Sequence, residues 1–382
     1  MVQKKSTFVV FSSLFIIMLG FGIIIPVLPF YSQSLGATSL HLGLLMASYS
    51  VMQFIFAPVW GALSDRWGRK PVLLVGIGGF AVSFFIFSLA NALWVLFAAR
   101  IMGGLLSSAA MPTVMAVISD TTTESERAKG MGMIGTAMGM GMIFGPAVGG
   151  VLSRFGVHVP FQAAAGMAFL TVIYAAFFMT ETLDRSREQT ERRRASIVGA
   201  LKGPLAFLMV MAFTISFANA NLESTFAYFS KDQFGFGIPE IGLAFTVMGV
   251  FAVLLQGFLV GRLVNYFGEQ KVIVFGLALT MVSLLLIVAA QGLVSLIAYL
   301  TLSGIGMGLV RPGITSMISK KTLAAQGETM GVMSSFDSLG RIAGPVYGGQ
   351  VYLFNHTYPY LSGALILAAI LVTALMIFNK KY

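Results

Sequence analysis

The sequence predicts an all-α integral membrane protein: twelve transmembrane helices in two pseudo-symmetric six-helix bundles. Three observations carry this reading: the composition, apolar runs that recur from end to end, and one set of strings that appears in both halves. Of 382 residues, 57% are hydrophobic and 10% are charged, against about 25% charged in a typical soluble domain. Such a chain has lipid as its main solvent. A run of about 20 apolar residues crosses a hydrocarbon core of about 30 Å as a helix, which satisfies its own backbone groups. Runs of this kind fall at 7–31, 41–63, 72–92, 94–119, 131–153, 160–180, 204–229, 239–261, 272–290, 293–318, 330–353 and 357–378. Little chain is left between them, so no soluble catalytic domain is expected.

The first run follows Lys4 and Lys5, as in a signal peptide. It is too long for one and has no small-residue cleavage site, so it reads as span 1. There is no cysteine, which excludes disulfide and thiol chemistry.

The net charge of +10 has a topological explanation. With the N-terminus inside, the inner segments hold Lys4, Lys5, Arg66, Arg69, Lys70, Arg127, Lys129, Arg185, Arg187, Arg192, Arg193, Arg194, Lys202, Arg262, Lys271, Lys320, Lys321, Lys380 and Lys381, whereas the outer loops hold only Arg154 and Lys231. That asymmetry follows the positive-inside rule and places both termini in the cytoplasm of a bacterial inner membrane. It accounts for the basic balance without a nucleic-acid partner.

Residues 181–203 are the one long polar stretch and read as a cytoplasmic linker between bundles 1–180 and 204–382. The bundles repeat. Gly-Ala-Leu-Ser-Asp-Arg-Trp-Gly-Arg-Lys (61–70) after span 2 answers Gly-Arg-Leu-Val-Asn-Tyr-Phe-Gly-Glu-Gln (261–270) after span 8. Pro112 to Ser119 matches Pro312 to Ser319, and Gly-Pro-Ala-Val-Gly-Gly (145–150) recurs as Gly-Pro-Val-Tyr-Gly-Gly (344–349). Parallel repeats of six helices are the plan in which two bundles rock about a midplane site.

On these residues the chain resembles the major facilitator superfamily and, within it, the twelve-helix drug:proton antiporters. Gly61, Leu63, Asp65, Arg66, Gly68, Arg69 and Lys70 fit the loop 2–3 signature. Gly141, Gly145, Pro146, Gly149 and Gly150 fit the span 5 signature of antiporters, and Arg100 with Gly104 fits the span 4 motif. Pro26 and Pro29 fit the helix 1 pattern of drug exporters. Leu-Glu-Ser-Thr-Phe-Ala-Tyr-Phe (222–229) and Arg-Pro-Gly-Ile-Thr (311–315) are similar to strings of Gram-positive quinolone and multidrug efflux pumps. One departure stands out: those pumps place an aspartate just before the span 10 Arg-Pro string, where this chain has Gly308, and this chain has Asp337 in span 11. The resemblance implies proton-driven export of drug-like molecules, with no cofactor beyond the proton gradient and no metal. Arg100 would then belong to the proton-coupling network, and Asp65 would latch the two halves near the inner end of span 11.

The acids support this independently. Of fourteen, only Glu223 and Asp337 lie well inside spans. A charge at membrane depth costs several kcal/mol and is seldom there without a role. Burial favours the neutral acid, so a carboxyl whose surroundings alternate between wet and dry can carry a proton. Ser216, Asn219, Glu223, Phe226 and Ser230 share one helix face, which is expected to border a water-filled cavity. A structural hydrogen bond to a neighbouring helix is the plainer reading of Glu223. Asp337 has Arg341 four residues on, so it is either a structural ion pair or a second proton site. Arg100 and Arg311, in spans 4 and 10, cannot lose their charge and need acceptors: backbone carbonyls, Glu223, Asp337 or substrate.

Gly141, Gly145 and Gly149 recur at close-packing intervals, with Pro146 adding a bend. They are expected to form a seam against the other half that opens and closes. Candidates for substrate contact are Tyr49, Gln53, Met111, Met115, Asn219, Phe226 and Ser334, because flexible and aromatic walls suit promiscuous binding. A buried carboxylate there would favour cationic, lipophilic compounds. The expected partners are a small-molecule substrate, protons and membrane lipid, and the chain is expected to act as a monomer.

Two other classes fit less well. An intramembrane enzyme would need a catalytic constellation, but His41, His158 and His356 fall at outer helix ends or loops and no nucleophile or His-Glu-x-x-His motif exists. No nucleotide-binding string is present for a primary pump. A transporter of a specific metabolite or lipid stays open.

Overall fold

The structure, a computed structural model, describes the backbone of residues 2–122, 124–183, 205–321 and 326–379, and the side chains of 8–122, 130–183, 205–319 and 329–378. Most of the expected linker, the basic residues within it, and the side chains of Lys4, Lys5, Arg127, Lys129, Lys320, Lys321, Lys380 and Lys381 lie outside the described residues.

Each of the twelve spans is helical. They are α1 (Val2–Ser34), α2 (Ser39–Trp67), α3 (Arg69–Ser88), α4a (Leu93–Ser107) with α4b (Ala110–Thr121), α5 (Glu124–Leu152), α6 (Val159–Phe178), α7 (Ala206–Phe234), α8a (Ile238–Leu254) continuing through a π turn (Leu255–Leu259) into α8b (Val260–Phe267), α9 (Glu269–Val288), α10 (Leu293–Lys321), α11 (Gln326–Tyr352) and α12 (Tyr358–Asn379). Among the described residues, eleven of these spans are long and apolar enough to cross a membrane by length and composition. The exception is α11, whose polar residues include Ser334, Ser335, Asp337, Ser338 and Arg341. A helix that polar can sit at membrane depth only where protein or water covers it.

The chain divides into two compact units. Unit 1 holds residues 1–37, 48–190 and 241–246. Within it α1 packs on α5, α3 on α4a and on α6, and α1 on α6. Unit 2 holds residues 38–47, 191–240 and 247–382, and repeats the scheme with α7 on α11, α9 on α10 and on α12, and α7 on α12. The repeat extends to single hydrogen bonds. Ser83 Oγ donates to the Ala99 carbonyl at 2.8 Å and Ser283 Oγ to the Tyr299 carbonyl at 2.7 Å.

Close approach of backbones explains the paired glycine strings. A Cβ at Gly145 would lie 2.5 Å from the Leu19 carbonyl oxygen and 2.6 Å from Gly22 Cα, and one at Gly141 would meet Met18 and Leu19. Gly149 continues this face against Ile23 and Val27. The stripe of Gly141, Gly145 and Gly149 therefore packs on α1, inside unit 1. This corrects the expectation of a seam against the other half. The period of four places all three on one face, while Pro146 and Gly150, one residue on, lie on the adjacent face against Gly242. In unit 2, Gly344 packs on Phe217 and Asn221, Pro345 on Gly43, and Ser39 Oγ donates to the Gly349 carbonyl at 2.8 Å.

Candidate functional site

The expected polar stripe of α7 is present over residues 216–223 only. Ser216, Asn219 and Glu223 are half-buried, whereas Phe226 and Ser230 have no exposed surface and Ser230 Oγ bonds back to the Phe226 carbonyl. Asn219 Nδ2 donates to Glu223 Oε1 at 2.8 Å. Both groups stand on successive turns of one face, so the amide that holds the carboxylate comes from its own helix. Arg341 of α11 acts on Glu223 electrostatically.

Asp337 is buried, and its partners correct the local pairing that its sequence suggested. Arg311 Nη2 of α10 donates to Asp337 Oδ2 at 2.9 Å, and Ser216 Oγ of α7 donates to Oδ1 at 2.7 Å. Arg341 instead turns its Nη2 toward Ser338 Oγ at 3.5 Å. The helix-internal pair loses because Arg311 and Ser216 reach the carboxylate from two neighbouring helices and fill both of its oxygens. Ala212, Ile215, Arg311, Ile314, Met333 and Asp337 line a small pocket here. One turn back on α10, Gly308 leaves Gln256 Nε2 of the π turn 3.5 Å from where a Cβ would stand. Ser334 is exposed on the same helix as Asp337.

Unit 1 offers a different environment. Arg100 is buried, and among the described residues no carboxylate meets it; its guanidinium carbon lies 5.5 Å from the Tyr49 ring centre and 5.7 Å from that of Phe87. Its Nε makes no hydrogen bond. Aromatic faces thus stand where the sequence suggested an acceptor, and they attract a cation through the ring quadrupole. Tyr49 is itself fixed by a 2.6 Å hydrogen bond to Ser107 Oγ and by edge-on packing with Phe21. Gln53 and Met111 are half-buried, and Met115 is exposed.

The loop 2–3 residues assemble around Arg69, which is buried. Its Nη1 donates to Ser64 Oγ at 2.7 Å and to Asp65 one turn earlier, and its Nε donates to Asp120 Oδ2 at 2.9 Å. Asp65 is thus held by α3, and α3 is tied to the end of α4b. Arg66 is exposed, and Gly61 faces Pro112 of α4b. Gly68, at φ 114°, turns the chain from α2 into α3 in a conformation that side chains rarely adopt. Any Cβ there would also strike the carboxylate of Glu181. That carboxylate accepts from the Arg69 amide at 2.8 Å and the Lys70 amide at 3.1 Å, at the N-terminus of α3. Burial alone would raise the Glu181 pKa, but amide donors from Leu183, Arg69, Lys70 and Thr182 bring it below the ordinary glutamate value.

Asp120 and Glu181 were not singled out from the sequence, since both fall at span ends, where a charge reads as solvated. The usable signal was a glycine turn opening α3 with no acid or hydroxyl of its own to cap the helix.

Two compact units built on the same helix-packing plan, with acids and arginines inside helices at membrane depth, define a multi-pass membrane transporter. The model of the Major Facilitator Superfamily matches residues 10–237 and 208–382, and the chain belongs to that family. It is 31% identical to multidrug resistance protein 2 of Bacillus subtilis (strain 168) over 94% of this chain and 92% of the relative. It is 28% identical to the quinolone resistance protein NorA of Staphylococcus aureus, over 97% of this chain and 96% of the relative. Among solved structures, the nucleoside transporter NupG superposes with a TM-score of 0.81 at 14% identity, covering 98% of this chain and 99% of that one.

Proposed function

We propose that this protein exports lipophilic, cationic drug-like molecules in exchange for protons by alternating access. The observation that carries the reading is Glu223: a half-buried carboxylate inside a transmembrane helix, held by Asn219 and facing the field of an arginine. Full-length likeness to proteins named for multidrug and quinolone resistance supports the choice of cargo. Glu223 takes a proton from outside and releases it inside, and the substrate cation competes for the ionised form. Asp337 with Arg311 forms a second coupling site in the same unit. Arg100, held between Tyr49 and Phe87, serves unit 1. Tyr49, Gln53, Met111, Met115, Asn219 and Ser334 are proposed to contribute to the substrate wall; Phe226, being fully buried, would act from behind it. The cluster of Gly61, Asp65, Arg66, Gly68 and Arg69 sets the inner latch. Both termini are assigned to the cytoplasmic side of the bacterial plasma membrane, supported by the lysine and arginine asymmetry, and the transporter is assigned as a monomer.

The test is uptake into inverted vesicles under an imposed pH gradient, acid inside, across a panel of lipophilic cations, neutral compounds and metabolites. Gradient-dependent accumulation of the cations is expected, and its loss in Glu223→Gln. Near-normal accumulation by that variant would remove Glu223 as the carrier. Uptake restricted to one metabolite would replace the drug reading.

A further inference from the structure

Helix α8 carries one residue more than its counterpart α2. Pro146 and Pro345 hold the same position in the paired Gly-Pro strings. A Cβ at Gly242 of α8 would lie 2.6 Å from the Pro146 carbonyl oxygen, and one at Gly43 of α2 would meet the Pro345 carbonyl, so Gly43 and Gly242 are equivalents near the starts of the two helices. Gly61 and Gly261 open the equivalent strings at the far ends. The stretch from Gly242 to Gly261 is one residue longer than that from Gly43 to Gly61. α2 runs through its stretch as one α-helix, whereas α8 takes up the extra residue in the π turn Leu255–Leu259. Such turns are rare inside α-helices and fall frequently at functional sites.

The turn sets one polar side chain in an apolar helix. Between Ile241 and Gly261 the polar side chains are Thr246 and Gln256, and Thr246 Oγ1 bonds back to the Gly242 carbonyl at 2.7 Å. Gln256 is exposed and makes no hydrogen bond among the described residues. Its Nε2 stands beside Gly308 of α10, 3.5 Å from where a Cβ would lie, and a Cβ at the adjoining Gly257 would meet nothing within 4 Å. Gly308 and Arg311 are one turn apart on α10, and the Arg311 side chain is mostly exposed. An arginine that open at membrane depth borders water and not hydrocarbon. An unpaired amide is likewise costly in hydrocarbon, which puts Gln256 on the wet side of α8.

We propose that the π turn of α8 presents the Gln256 amide to the substrate, where it selects, among lipophilic cations, those that carry a carbonyl, amide or hydroxyl group. The proposal rests on the reading of the protein as an exporter of such cations. Sites for small molecules are mainly apolar, with a few polar groups that fix orientation. Gln256 fits that part: its amide both donates and accepts. It carries no charge, so it contributes to binding without entering the exchange of proton for cation. Arg311, one turn from Gly308, already has Asp337 as its partner, whereas the amide has both of its hydrogen-bonding ends open to a ligand.

The experiment is equilibrium binding of two probes to the purified, full-length protein: tetraphenylphosphonium, which has no hydrogen-bonding group, and its analogue with one carbamoyl group. A typical net hydrogen bond corresponds to about a fivefold change in Kd. The wild-type protein is therefore expected to bind the carbamoyl probe about fivefold more tightly. Gln256→Met, and Gln256→Leu as a second apolar variant, are expected to remove that preference and to leave the Kd of tetraphenylphosphonium near its wild-type value. Equal weakening of both probes, or failure of both variants to fold, would assign Gln256 to the packing of α8 and overturn the inference. A preference that survives in the folded variants, or that the wild-type protein lacks, also overturns it and leaves the cargo reading intact. Binding of neither probe to the wild-type protein overturns the cargo reading and the inference with it.

Discussion

Arg311 of α10 donates to Asp337 of α11 at 2.9 Å, with the acid side chain 6% exposed and the arginine 64% exposed. The pair is lopsided, and the two ways of breaking it should cost different amounts. Arg311→Gln leaves a buried carboxylate with only Ser216, and removing one partner of a buried pair costs about 3–5 kcal/mol. Asp337→Asn keeps a polar group for Ser216 and leaves behind an exposed guanidinium, so it should cost well under half of that. Thermal unfolding of the purified variants checks the order. The double variant should resemble Asp337→Asn, because with the acid gone Arg311 has nothing left to neutralise.

Arg69 gives the corresponding prediction in unit 1. It is the common partner of Asp65, Asp120 and Ser64, so Arg69→Ala takes the same cation from two acids at once. The acid side chains are 30% and 20% exposed, so water screens them partly and the loss should fall at or below the low end of the about 3–5 kcal/mol for a buried pair. Arg69→Lys should recover little of it, since an ammonium cannot spread its donors over three acceptors in a fork. Arg66→Ala, at an exposed position, should change stability by no more than about 0.5 kcal/mol. Comparing melting midpoints of the three variants tests the ranking.

How much of this could be read from the chain depends on the range of each interaction. The spans, the repeat and the isolation of Glu223 rest on local composition and spacing, and the helices fall where the apolar runs lie. The partner of Asp337 did not follow from spacing: Arg341, four residues away, is visible in one dimension, while Arg311 is twenty-six residues away and is brought in by the register of α10 on α11. The glycine stripe was readable as close packing but not as packing on α1, because periodicity gives a face and not what it faces. Asp120 and Glu181 were missed because a charge at a span end looks solvated until the neighbouring helix start is placed against it.

The glycines of α5 divide by what a methyl group would meet. At Gly145 it meets backbone of α1, at 2.5 Å from the Leu19 oxygen and 2.6 Å from Gly22 Cα, and backbone cannot step aside as a side-chain tip can. Gly145→Ala should therefore separate α1 from α5 and reduce the yield of folded protein. At Gly132 and Gly135 a Cβ meets nothing within 4 Å. There the higher helix propensity of alanine, about 1 kcal/mol per residue over glycine, should leave stability unchanged or raised. Size-exclusion profiles and melting midpoints in detergent distinguish the two classes. A well-folded Gly145→Ala protein would show that α1 can retreat.

Glu181 carries a prediction with a pH window. Four backbone amides stabilise its ionised form, so its pKa in the folded protein lies below the ordinary glutamate value, against the opposing effect of burial. A group with a depressed folded pKa contributes stability that is fully present above its unfolded value and is lost as pH falls through the folded one. The ionised carboxylate also sits at the N-terminus of α3, where the helix dipole favours negative charge. Glu181→Gln keeps one acceptor oxygen, the atom that the Arg69, Thr182 and Leu183 amides share, but loses the acceptor of the Lys70 amide and removes the charge. At neutral pH the variant should melt below the wild-type protein by a small margin, since the side chain is exposed and solvent screens it. As pH falls below the ordinary glutamate range the two melting curves should converge, because the wild-type side chain then becomes neutral as well. A gap that persists unchanged through that range would mean that the carboxylate is held by shape and hydrogen-bond count alone, and that its charge contributes nothing to the turn at Gly68.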